Sequence, residues 1–144
     1  MMIEIPDMPM TIREASELTG LSEDTLRYYE RIDLLPPAQR KANGHRYYTA
    51  EQVRGIIFMT RLKSTGMTLE EMKAFRALIK QGSSTLELRK SILRQQHDRI
   101  GSEIQRLRDI QDVLEYKINY FDQLSANPQL EDTGCDLPDP PRKR

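Results

Sequence analysis

The sequence predicts a mainly α-helical chain: a group of short helices carrying one small β-hairpin, followed by a single helix of about forty residues. Three observations lead there. Helix-capping residues recur at short intervals through the first half. An Asn-Gly pair beside strand-forming residues interrupts them once. From Thr85 to Ser125 no proline intervenes, while Leu86, Leu93, Ile100, Leu107, Leu114 and Phe121 recur at every seventh position.

Residues 1–9 read as an N-terminal extension. Thr11 caps a first helix that runs to about Thr19 and ends at Gly20. Ser22 caps a second, Glu23 to about Arg31, and two short helices across a tight Gly-containing turn make the helix-turn-helix pattern. Ala15, Leu18, Leu21 and Leu26 are spaced to bury one side of the pair. Pro36-Pro37 stops the helix, and Asn43-Gly44 beside Arg46-Tyr47-Tyr48-Thr49 predicts a hairpin, or wing, over about 39–48.

Thr49-Ala50-Glu51-Gln52 and Thr68-Leu69-Glu70-Glu71 both fit the capping box and start helices over about 50–64 and 69–80. The third helix is expected to bury Val53, Ile56, Ile57 and Leu62; the fourth, Leu69, Met72, Phe75 and Leu78 or Ile79. The long helix has a second seam position that wanders through Gln96/His97, Glu103/Ile104, Ile110, Lys117/Ile118 and Leu124. A helix of that length cannot bury its stripe against an 80-residue domain, so it is expected to pair with its copy in a homodimer; spacing alone leaves parallel and antiparallel pairing open. From Asn127 the composition shifts to Pro, Asp, Gly and Glu, which predicts a disordered tail. The expected division is 1–9 extension, 10–80 winged helix-turn-helix domain, 83–125 dimerisation helix and 126–144 tail.

Composition narrows the function. Apolar residues make up 38% of the chain and charged residues 31%, with no tryptophan, so part of it is expected to be elongated. Met1 to Met10 contains Glu4, Pro6, Asp7 and Pro9 instead of a basic start and an apolar run. With a lone cysteine, Cys135, and no stretch of membrane-spanning character, a cytoplasmic protein is expected. Net charge is zero, yet between Thr25 and Lys63 eight basic side chains face three acidic ones. A local excess of five positive charges is an electrostatic footprint for phosphates. His45, His97 and Cys135 do not approach metal-ligand spacing, and no phosphate loop or nucleophile motif occurs, so neither an enzyme nor a cofactor is expected.

The tripeptide Arg-Tyr-Tyr occurs twice, at 27–29 and 46–48, and holds four of the six tyrosines. On the second helix, Arg27 can reach a base edge or phosphate while one tyrosine hydroxyl bonds a phosphate. A purely structural alternative packs a tyrosine on the hairpin and pairs Arg27 with Glu23 or Glu30. On the strand, successive side chains face opposite ways, so one tyrosine packs inward while the other and Arg46 face out. At the end of the third helix, Arg61 reads as a complement to the helix dipole.

Taken in order, Met10-Thr11-Ile12-Arg13-Glu14-Ala15, Thr19-Gly20-Leu21-Ser22, Thr25-Leu26-Arg27-Tyr28-Tyr29-Glu30, Ile32-Asp33-Leu34-Leu35-Pro36, Gly44-His45-Arg46-Tyr47-Tyr48 and the stretch from Leu62 to Met72 resemble the MerR family of bacterial transcription regulators. The resemblance is dense over 10–80 and architectural over 83–125. It implies a winged helix-turn-helix homodimer joined by an antiparallel coiled coil. Such a dimer binds a near-palindromic operator in double-stranded promoter DNA and acts on RNA polymerase indirectly, by bending and untwisting the promoter. The DNA-binding set it implies is Thr11, Thr25, Arg27, Tyr28, Tyr29, Arg46, Tyr47 and Lys63, with Lys63 and Tyr28 or Tyr29 gripping phosphates near the operator centre. The chain departs from metal-sensing members, which carry paired cysteines, and from members with an appended ligand domain. Either Cys135 is a redox sensor, or a small inducer binds between coiled coil and DNA-binding domain, or there is no inducer. The competing reading is a coiled-coil interaction module whose helix-turn-helix docks protein.

Overall fold

Each short helix begins on a residue whose side chain replaces a missing backbone partner. The computed structural model describes residues 4–137; residues 1–3 of the expected extension and 138–144 of the expected tail lie outside it. Helix α1, Ile12–Thr19, starts at a complete capping box: Thr11 Oγ1 accepts from the Glu14 amide at 3.2 Å while Glu14 turns back to the Thr11 amide. It ends at Gly20, whose φ of 75° suits a residue without Cβ. Helix α2, Glu23–Arg31, starts from Ser22, whose hydroxyl accepts from the Thr25 amide at 3.0 Å. The chain leaves α2 through Asp33 in the left-handed region, φ 59°. The Tyr29 carbonyl then accepts from the amides of both Leu34 and Leu35, which points these two leucines into the core.

The wing is a two-stranded antiparallel sheet, β1 Gln39–Arg40 and β2 Arg46–Tyr47, with Gln39 opposite Tyr47 and Arg40 opposite Arg46. Gly44 turns it at φ 82°, and Arg40 Nη1 donates to the Gly44 carbonyl at 2.9 Å. One further pairing is not signalled by local sequence. Met10 and Tyr48 form an antiparallel bridge, amide to carbonyl at 2.8 and 2.7 Å, that ties the outgoing wing strand to the entry of α1.

Helix α3, Ala50–Ser64, opens on the Thr49–Gln52 capping box, and Gln52 Nε2 also reaches the Pro37 carbonyl. Helix α4, Leu69–Lys80, opens on Thr68, which accepts from the Glu71 amide. Here the box is only half made, because the Glu71 carboxylate accepts from the Thr68 hydroxyl instead of the Thr68 amide. The core is assembled from Met10, Ala15, Leu26, Tyr29, Leu34, Leu35, Tyr48, Val53, Ile56, Met59, Leu62, Met67, Met72 and Phe75. Of the expected core positions, Leu18, Leu21, Ile57 and Leu69 lie at its margin, and Ile79 is exposed. Asp33 is fastened to α4 by Lys80 Nζ at 2.6 Å and by Arg76, and the Lys80 hydrogen bond holds its carboxyl below the usual value.

A 3₁₀ turn, Ser83–Thr85, leads into helix α5, Leu86–Ala126. The residues fall into two compact units, one ending at Gln96 and one beginning at His97. Within the first, the start of α5 departs from the expected seam. Ile92 and Leu93 pack on the protomer's own core, and Gln96, 4% exposed, receives a hydrogen bond from the Thr65 hydroxyl at 3.0 Å. Leu93 and Gln96 are therefore occupied within one protomer, because the α3–α4 junction offers them both apolar and polar partners.

In the second unit, Ile100, Ile104, Leu107, Ile110, Leu114, Ile118 and Phe121 form one exposed apolar stripe at helical spacing. The segment the sequence marks as a disordered tail carries contacts back to the helix. Tyr120 donates to the Glu131 carbonyl, and Lys117 donates to the Asp136 carbonyl and to Thr133 Oγ1. Among the described residues no helix is long and apolar enough to cross a membrane.

Candidate nucleic-acid interface

The two Arg-Tyr-Tyr tripeptides divide their work by the geometry of the elements that carry them. On α2, residues one apart diverge by about 100°, so Tyr29 turns inward at 6% exposure while Tyr28 stays 43% exposed. Their rings lie 5.9 Å apart and tilted, and the Arg31 guanidinium sits over Tyr28. Arg27 is outward, held by Asp24 at 3.2 Å and not by Glu23 or Glu30. A carboxylate so exposed is a weak restraint that a phosphate can replace.

On the wing, Tyr48 is buried at 3% and Tyr47 is half-buried. The strand period of two puts Arg46 on the same face as Tyr48, which corrects the expectation that Arg46 faces outward. Its Nε lies 3.6 Å from Glu30 Oε2 on α2. Burial pushes the Tyr48 phenol above its ordinary pKa; the Glu30 charge adds to this, and Arg46 and Arg27 partly offset it.

These residues surround a cleft of about 450 Å³ between the start of α1, α2 and the wing, lined by Thr11, Arg27, Arg40, Lys41, His45, Arg46 and Tyr47 among others. Four of the eight expected DNA-binding residues thus meet at one concavity. Arg40, Lys41 and His45 join them without having been singled out. The signal was present, since they flank the Asn-Gly turn within the basic segment.

A second, separate group forms at the end of α3. Lys63 Nζ donates to the Tyr29 hydroxyl at 2.7 Å and sits 5.5 Å from the centre of its ring. Tyr29, with its ring in the core, is therefore the tyrosine that lies beside Lys63. Thr25 is half-buried and accepts from the Ser22 hydroxyl at 2.8 Å, so it serves the cap of α2 and does not line the cleft. Cys135 is exposed. Among the described residues no three His, Cys, Asp or Glu side chains gather as a metal site.

Comparison with known proteins finds family matches over residues 10–116. The model of the MerR HTH family regulatory protein matches residues 10–79, and that described as MerR, DNA binding matches 53–116. YyaN of Bacillus subtilis, an uncharacterized HTH-type transcriptional regulator, is 48% identical over 65 residues, covering 45% of this chain and 47% of YyaN. The chain thus spans about half the length of that relative. An uncharacterized HTH-type transcriptional regulator of Haemophilus influenzae is 33% identical over 119 residues, covering 83% of this chain and 88% of the relative. Among solved structures, HiNmlR, a MerR family regulator lacking the sensor domain and bound to promoter DNA, is 33% identical with a TM-score of 0.74, over 83% of this chain and 90% of HiNmlR.

Proposed function

Because this chain belongs to the MerR family of helix-turn-helix regulators, we propose that it is a sequence-specific transcription regulator that binds a near-palindromic promoter operator as a homodimer and distorts it. The observation that carries this is the cleft between α2 and the wing, where Arg27, Arg46 and Tyr47 converge with Arg40 and Lys41. Arg27 enters the major groove, and the wing lies on the adjoining backbone. Lys63, with the Tyr29 hydroxyl, grips a phosphate nearer the operator centre. Two separate grips on each half-site suit a protein that deforms DNA, because bending costs several kcal/mol that phosphate contacts must offset.

Dimerisation follows from the exposed stripe Ile100 to Phe121, which a second α5 covers in an antiparallel coiled coil. RNA polymerase then responds to the altered promoter and not to a surface of this protein. The protein acts in the cytoplasm.

The test is a mobility-shift assay on the region upstream of its own gene. Specific binding that the double variant Arg27→Ala/Lys63→Ala abolishes is expected. Binding unaffected by that pair refutes the residue assignment, and absence of any specific shift refutes the function.

A further inference from the structure

Glu30 stands out in a surface built to attract phosphates. It lies on α2 three residues after Arg27, beside a second cleft of about 440 Å³ that Arg27, Glu30, Arg31, Asp33, Pro37 and Arg46 line. Arg27 and Arg46 border both clefts, and of the two carboxylates lining the second, Glu30 is the one paired with Arg46. The pair Glu30–Arg46 is mostly withdrawn from water, with side chains 19% and 27% exposed. Glu30 Oε2 and Arg46 Nε are both shielded from solvent and find no hydrogen-bond partner among the described residues. At 3.6 Å they attract as charges without closing a hydrogen bond. An acidic group in that position lowers the attraction of both clefts for any polyanion. It also ties β2 to α2, the two elements whose relative angle decides whether wing and helix fit one half-site together.

We propose that Glu30 is a specificity-determining residue. It sets the wing against α2 through Arg46 and suppresses binding to DNA that satisfies only the phosphate contacts. The suppression acts on every duplex. The positioning benefits only a site on which helix and wing engage at once, so the ratio of specific to non-specific affinity rises.

This rests on the DNA-binding reading above, and the experiment separates the two. A duplex selected by the wild-type protein from a randomised pool is compared with a scrambled duplex of equal composition, by fluorescence anisotropy between about 50 and 200 mM salt. If the wild type does not discriminate between them, the DNA reading falls and takes this proposal with it. If it does, Glu30→Gln is expected to bind the scrambled duplex more tightly, with a steeper salt dependence, and to lose at least about tenfold in the specificity ratio, the scale of one mismatched base pair. In an Arg46→Gln background the same substitution should leave the ratio unchanged. A ratio unaltered by Glu30→Gln, or an equal loss with and without Arg46, overturns the proposal. Should Glu30→Gln not fold, Glu30→Asp carries the test. It keeps the charge but withdraws the carboxylate, so the ratio must fall while the salt dependence on scrambled DNA stays as in the wild type; an unchanged ratio overturns the proposal there too.

Discussion

Replacing Lys63 with alanine tests the grip at the end of α3 in a way that separates a phosphate contact from a structural one. Lys63 is an exposed residue, and its ammonium donates to the Tyr29 hydroxyl at 2.7 Å. Losing that bond removes little folding stability, at most about 1 kcal/mol, because an exposed cation keeps its hydration. Its effect on DNA is larger and of a different kind. Each neutralised phosphate adds about 0.9 to the slope of log affinity against log salt, so two copies of Lys63 in a dimer account for about 1.8. Over the fourfold range from about 50 to 200 mM, wild-type affinity should therefore fall roughly tenfold more than that of Lys63→Ala. Tyr29→Phe is the companion variant. It keeps the buried ring and the lysine charge, so it should weaken binding while leaving the slope nearly unchanged. Anisotropy titrations at several salt concentrations measure both. A slope for Lys63→Ala equal to the wild type would show that this lysine does not meet a phosphate.

Four further outcomes follow from the packing. Thr49→Ala removes the capping box of α3 and should lower stability by about 1 kcal/mol in urea unfolding. Met72, 1% exposed, should cost about 2–5 kcal/mol when cut to alanine, by the same measurement. Leu107→Glu places a charge in the exposed stripe of α5 and should shift the protein to monomer in sedimentation velocity; an intact dimer would place the seam elsewhere. Asp33 has its pKa lowered by the Lys80 hydrogen bond, so its contribution to stability is present above 3.8 and lost as pH falls through the lower folded value. The stability advantage of wild type over Asp33→Asn should accordingly shrink on acidification below that point, and an advantage that persists there would contradict the assignment.

What could be read from sequence was local in origin. Thr11, Ser22, Thr49 and Thr68 bond to amides three residues ahead, so a short window contains the whole interaction. The Asn-Gly turn is the same kind of signal. The division of each Arg-Tyr-Tyr into one buried and one outer ring follows from helical and strand periodicity. Which way Arg46 turns also follows from periodicity once Tyr48 is known to be the inner ring, but that requires the tertiary fold. Lys63 and Tyr29 are 34 residues apart, and Asp33 and Lys80 are 47 apart; no local pattern announces either. Gln96 misled for a related reason. Its heptad position pointed to a partner helix, whereas a threonine at the end of α3 claims it. A period reports which side of a helix is covered, not by what.

The bridge between Met10 and Tyr48 has a kinetic meaning. It closes residues 10–48 into a loop whose two ends are tied by one pair of backbone bonds, with α1, α2 and the hairpin strung between them. During synthesis Met10 has no strand partner until Tyr48 has been made, so this bridge closes only after the whole wing has emerged. Met10 and Tyr48 are both buried, so exchange of their amides is expected to require the wing to part from the start of α1.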